Sequence, residues 1–213
     1  PSMILAANKA DILMYNGLDL EIGYLPLIIA SARNPRIQTG QLGNFDCSLY
    51  VAAIEKPQTD IDRSMGDVHP FGNPHYHLSP ENVLNVTEVV AETLSYIDTP
   101  NAEFYRANLA SFKERLMEKQ RVWGRNLKGK KFIAFHKYFE YLAKEYGFQI
   151  TDYIETKPGI PPSSGHVGRL IEVIRRTRPD GLLTTAYYGK KEVEYLSQKT
   201  GVKGIIVPHD VGS

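Results

Sequence analysis

Cysteine is almost absent from this sequence: Cys47 stands alone among 213 residues. That excludes an intramolecular disulfide framework and any cysteine-rich zinc or iron–sulfur site. Long apolar runs are absent too. The most apolar stretch, residues 22–30, contains Pro26 and falls well short of the roughly 20 residues that cross a bilayer as a helix. Neither sign of charge dominates, since 25 Lys and Arg face 24 Asp and Glu for a formal net charge of +1. The two signs are interspersed, so the chain offers no electrostatic footprint for nucleic acid, and none is expected as a partner. Several catalytic signatures are missing as well: H-E-x-x-H, H-x-E followed by C-x-x-C, G-x-x-x-x-G-K-[ST] and G-x-S-x-G. What is present, 42% hydrophobic and 23% charged residues, describes a globular chain able to bury a substantial core.

The pattern along the chain divides into three stretches. Pro1 is tolerated at a first helical position, and Met3, Ile4, Leu5 and Ala7 continue a short helix. Residues 12–15, closed by Asn16-Gly17, read as a buried parallel strand ending in a turn, and residues 18–31 as a helix. From Asn34 to Asn73, glycines and prolines break the chain into loops around a strand expected at residues 48–54. Two strongly periodic segments follow: Val83, Val86, Val90, Leu94 and Ile97, then Ala102, Tyr105, Leu109, Phe112 and Leu116. Each repeats every three or four residues, which places the named side chains on one helical face, with Thr99-Pro100 interrupting the run. Beyond Lys131 strands and helices alternate: strands at 131–135, 148–154, 181–185 and 203–207, helices at 137–146, 164–176 and 190–199. Such alternation indicates a parallel sheet with helices on its faces, whose ligands bind beyond the carboxyl ends of the strands.

Six histidines supply the chemistry. His75 and His77 stand in a loop before the first long helix, His136 follows a strand, and His209-Asp210 follow the last strand. Imidazole and carboxylate together are usual ligands for zinc, and serve manganese or iron as the carboxylate share rises. Each residue also has a plainer role. A histidine after a strand is more often a hydrogen-bonded structural residue; His75-x-His77 shares a face only where the backbone is extended; Asp210 serves equally well as a helix cap. His69 and His166 read as surface residues or as groups supporting other ligands.

Four segments together resemble a known family: KADILMYNGLDLE at 9–21, GNPHYHLSPEN at 72–82, FHKYFEYLA at 135–143 and ETKPGIPPS at 155–163. They resemble the metal-binding solute receptors of ABC transporters, the zinc and manganese receptors also known as periplasmic solute-binding protein family 9. The resemblance covers essentially the whole chain and implies an α/β fold: two Rossmann-like α/β lobes joined by a long connecting helix, the amino-terminal lobe incomplete. Residues 1–79 would form the partial amino-terminal lobe, 80–127 the helical connector, and 128–213 a carboxyl-terminal lobe lacking its last helix. It further implies capture of a divalent metal in the inter-lobe cleft, outside the cytoplasmic membrane or anchored on its outer face, and delivery to a permease. No catalysed reaction is implied.

Of the four ligands usual in that family, three match here: His75, His136 and Asp210. The family's first ligand would precede Pro1 and a closing helix would follow Gly212, so the chain is expected to be truncated at both ends. A piece lacking that ligand would bind metal weakly, fill the position with water or a neighbour such as His77, or stay empty, with His209 a second auxiliary candidate and self-association a further expectation. Histidine at position 136, where some members carry glutamate, favours zinc over manganese or iron. Two alternatives remain at this point: a metal-dependent hydrolase with an open coordination position, and a surface adhesion protein.

Overall fold

The computed structural model describes residues 2–58 and 69–209. They divide into two compact units, the first comprising described residues up to 58 together with 69–119, the second residues 120–209.

The first unit opens with α1 (Ser2–Lys9) and β1 (Leu13–Tyr15), followed by α2 (Leu25–Ala32) and β2 (Asn44–Asp46). β1 and β2 pair in parallel, Leu13 opposite Asn44 and Tyr15 opposite Asp46. Ala7, Ile28, Ala32 and Ile37 form the core, with Ile4, Ala10 and Leu13 packed against it. Buried Asn34 ties this layer together: its amide donates to the carbonyls of Ala7 at 2.9 Å and Ala10 at 2.7 Å. The end of α1 thereby gains acceptors satisfied within the protein.

Three sequence expectations need correction here. The helix expected over 18–31 begins only at Leu25, with Pro26 in its first turn, where a missing N–H costs nothing. Upstream, Leu18 and Asp19 hold φ of 54° and 63°, outside helical geometry, so residues 18–24 fold as successive turns. The second strand lies at Asn44–Asp46 and not at 48–54, because the Asp46 carboxylate accepts from the Ser48 backbone at 2.9 Å and turns the chain into a short 3₁₀ segment, Cys47–Tyr50. β1, expected to be buried, is half-buried, with Met14 43% exposed.

Two long helices follow, α3 (Pro80–Ile97) and α4 (Ala102–Leu127), separated by a 3₁₀ turn at Thr99–Asn101 where proline interrupts the run. Ser79 caps α3 by accepting from Asn82 N–H at 3.2 Å. At the turn, Tyr105 and Asn101 both donate to the Asp98 carboxylate, which holds its pKa below the ordinary value. The division between the units falls inside α4, after Lys119.

The second unit is a four-stranded parallel sheet in the order β4-β3-β5-β6, built from β3 (Lys131–Ala134), β4 (Gln149–Tyr153), β5 (Gly181–Thr185) and β6 (Gly204–Val207). Helices α5 (Glu140–Tyr146), α6 (Ser164–Thr177) and α7 (Lys190–Thr200) connect successive strands, as parallel pairing requires. β5 is buried at every position, so its run Gly-Leu-Leu-Thr-Thr shows no alternation. Ile133, Phe135, Ile154, Leu182 and, from the helices, Leu170, Ile174, Val193 and Leu196 form one apolar cluster, each buried aliphatic contributing about 1.5–3 kcal/mol.

Candidate metal centre

In the second unit, the parallel sheet collects polar side chains at one end. His136 follows β3, Glu155 follows β4, Thr185 closes β5, and His209 follows β6. Parallel strands all point the same way, so residues just past their ends share one edge of the sheet. Pairing persists a step beyond the strands, with Ile154 N–H bonded to Ala134 at 2.8 Å and Glu155 N–H to Phe135 at 3.1 Å. His136 and Glu155 are thereby neighbours, and Nδ1 of His136 is hydrogen-bonded to the Glu155 carboxylate. Both side chains are largely removed from water, at 12% and 6% exposure.

Aromatic rings complete this edge. The His136 imidazole stacks on Tyr188, centroids 5.3 Å apart and planes 22° apart. Tyr188 also meets His209 edge-on at 5.4 Å, so one phenol ring contacts both imidazoles. His209 stacks on Tyr138 at 5.0 Å, its Nδ1 lies 3.1 Å from the Thr185 hydroxyl, and its carbonyl accepts from Tyr138 Oη at 2.6 Å. Behind them, Gly189 has φ +56°, and a Cβ there would lie 1.8 Å from the Phe135 ring. Only glycine lets that turn sit against the residue that precedes His136. Asp210 lies outside the described residues.

The first unit holds His75 in a different way. Its side chain is buried, and its backbone N–H bonds to the Asn73 side chain at 2.9 Å, while the Asn73 amide donates to Glu55 at 2.9 Å. Asn16 donates to the Pro74 carbonyl at 3.0 Å and accepts from Tyr76 Oη. Glu21 fixes Asn16 in turn, accepting from the backbone N–H of Asn16 at 2.8 Å and of Gly17 at 3.1 Å. The segment 9–21 thus braces the segment that carries His75. Around His75 lie two more imidazoles, His69 with centroids 6.2 Å away and His77 at 6.3 Å. In the second unit His166 stands on the first turn of α6, bonded to the Tyr153 carbonyl at 3.1 Å. Within neither unit do the described residues alone gather three His, Cys, Asp or Glu side chains able to hold a metal ion.

The family model described as "ZnuA: Zinc-uptake complex component A periplasmic" matches residues 1–213. The chain belongs to the ZnuA family. Among relatives, this ZnuA-family chain is 23% identical to the zinc-binding lipoprotein AdcA of Streptococcus pneumoniae (strain ATCC BAA-255 / R6) over 199 residues, covering 92% of this chain and 39% of AdcA. To the iron-binding protein YfeA of Yersinia pestis it is 23% identical over 211 residues, covering 95% of this chain and 62% of YfeA. It therefore spans about two-fifths and three-fifths of those two relatives. A crystal structure of ZnuA superposes with a TM-score of 0.74 at 23% identity, covering 97% of this chain and 74% of that one. FpvC of Pseudomonas aeruginosa, in complex with Mn2+, gives 0.69 at 20% identity, with 97% and 72% covered. Both bear out the α/β fold.

Sequence reading of this ZnuA-family member found His75, His136 and His209 at element ends, but passed over their supports. Glu155 was visible only as part of the segment 155–163. The signal that marks it is positional: a carboxylate two residues past β4 sits beside a histidine two residues past the adjacent β3.

Proposed function

We propose that this chain acts as an extracytoplasmic substrate-binding protein of a metal ABC transporter. It captures a divalent cation with His75, His136 and Asp210 as inner ligands and passes it to a membrane permease without making or breaking a covalent bond. Residues 1–79 and 128–213 serve as the two lobes and 80–127 as the helical connector. The observation that carries the reading is the oriented imidazole of His136, held in the plane of its ring by Glu155 and across that plane by Tyr188. A histidine restrained in this way has a fixed ring orientation and a lone pair on its second nitrogen, the form in which imidazole binds a metal.

Zinc is the favoured cargo, because a donor set with more imidazole than carboxylate suits zinc better than manganese, which prefers oxygen ligands. The names of relatives support a divalent metal of this class: AdcA is zinc-binding, YfeA iron-binding, and a ZnuA deletion mutant was solved with zinc bound. A location outside the cytoplasmic membrane follows the family description, and AdcA is named a lipoprotein. No helix among the described residues is long and apolar enough to cross a membrane.

Calorimetric titration of the chelator-stripped chain with zinc and then manganese tests the reading. Saturable zinc binding tighter than that of manganese is the expected result, with no turnover of generic ester or phosphate substrates by the zinc-loaded protein. Binding of neither metal, or zinc-dependent turnover, would contradict it.

A further inference from the structure

We propose that Glu155 is a positioning residue for the metal: by accepting from Nδ1 of His136 it commits Nε2 as the nitrogen that meets the cation. The inference rests on the reading of His136 as a ligand. A carboxylate can only accept in this contact, so Nδ1 carries the hydrogen and Nε2 keeps its lone pair. The two residues are set side by side by the parallel pairing of β3 and β4 and by the backbone bonds of Ile154 and Glu155 beyond it. The second carboxylate oxygen of Glu155 faces the backbone N–H of Gly159 at 3.4 Å, which ties the segment 155–159 to the same group.

Three features separate this arrangement from an ordinary structural pair. Glu155 is 6% exposed, and removing a carboxylate from water is costly unless its partners compensate. The imidazole it meets lies at the carboxyl edge of the sheet, where ligands of parallel α/β sheets bind. The remaining freedom of the ring, rotation out of its plane, is blocked by Tyr188 stacked at 5.3 Å. Carboxylate and phenol together therefore set both the tautomer and the direction of the ring before any metal arrives, which spares the cation the ordering of its ligand.

The test compares the full chain with Glu155→Ala, Glu155→Gln and His136→Ala, reading zinc affinity by competition with a chelator and the His136 tautomer by nitrogen-15 NMR of the metal-free protein. Circular dichroism follows the fold of each. Glu155→Ala is expected to lose zinc affinity by about 10- to 100-fold, the range for removing such a supporting partner, and to lose the fixed Nδ1–H tautomer. Glu155→Gln, whose side-chain carbonyl still accepts from Nδ1, is expected to keep that tautomer and recover part of the affinity. If Glu155→Ala folds poorly, the tautomer and affinity of Glu155→Gln decide. Unchanged zinc affinity in folded Glu155→Ala, alongside loss in His136→Ala, would overturn the positioning role and leave the receptor reading standing. Unchanged affinity in His136→Ala would remove the ligand reading, and the positioning role with it. Equal impairment in Glu155→Gln with an Nε2–H tautomer in the unmodified chain would also overturn it.

Discussion

Cys47, the one thiol, illustrates how a residue's surroundings set its chemistry. Burial raises its pKa to about 11, assisted by the negative charges of Asp46 and Glu21. The folded protein therefore keeps the protonated thiol across the range in which an unfolded cysteine ionises near 8.5. Alkylation by iodoacetamide at pH 8 is expected to run about 100-fold slower in the folded chain than in urea, because the thiolate is the nucleophile. Equal rates would show that the thiol is not shielded as described. The sign for stability follows: the neutral form favours folding at pH values below the unfolded pKa, and this contribution is lost as pH rises through 8.5 towards 11. At the same scale, the sequence exposed His75, His136 and His209 through their positions at element ends. It concealed Asn16 and Glu55, which act through hydrogen bonds to residues far along the chain, a relation that no local spacing encodes.

Among the elements, the strand–helix alternation after Lys131 was legible because α6 and α7 carry apolar residues at three- and four-residue spacing and the strands between are short, β3 and β6 being largely apolar. Leu170 with Ile174 and Val193 with Leu196 are the buried members of α6 and α7. The first unit was harder to read. Residues 18–24 carry enough apolar side chains to imitate a helix, yet the left-handed backbone at Leu18 and Asp19 forbids one. β2 escaped notice because three residues are too few to show a period of two. At the start of α3, Ser79 is the cap and Pro80 stands in the first turn. Replacing Ser79 with alanine removes the acceptor for Asn82 N–H and is expected to destabilise the first unit by about 1 kcal/mol, as for other capping residues. Urea denaturation checks this. A midpoint unchanged from that of the parent would mean that the backbone finds another partner.

For the molecule as a whole, the proposed function names His75 and His136 as the imidazole ligands of the metal. Leu5, Leu27 and Leu49 of the first unit are 67%, 68% and 74% exposed, and light scattering tests the proposal that the chain self-associates, the expected result being association that rises with concentration. A strictly monomeric chain at high concentration would contradict that expectation. The central claim is that this chain binds a divalent metal through the histidines named in the proposal. It is tested most directly by titrating zinc into His75→Ala and His136→Ala separately, in the full chain. Each substitution is expected to lower affinity by more than the roughly 100-fold that attends loss of a merely supporting group. Either variant binding zinc as tightly as the unmodified chain would contradict the account.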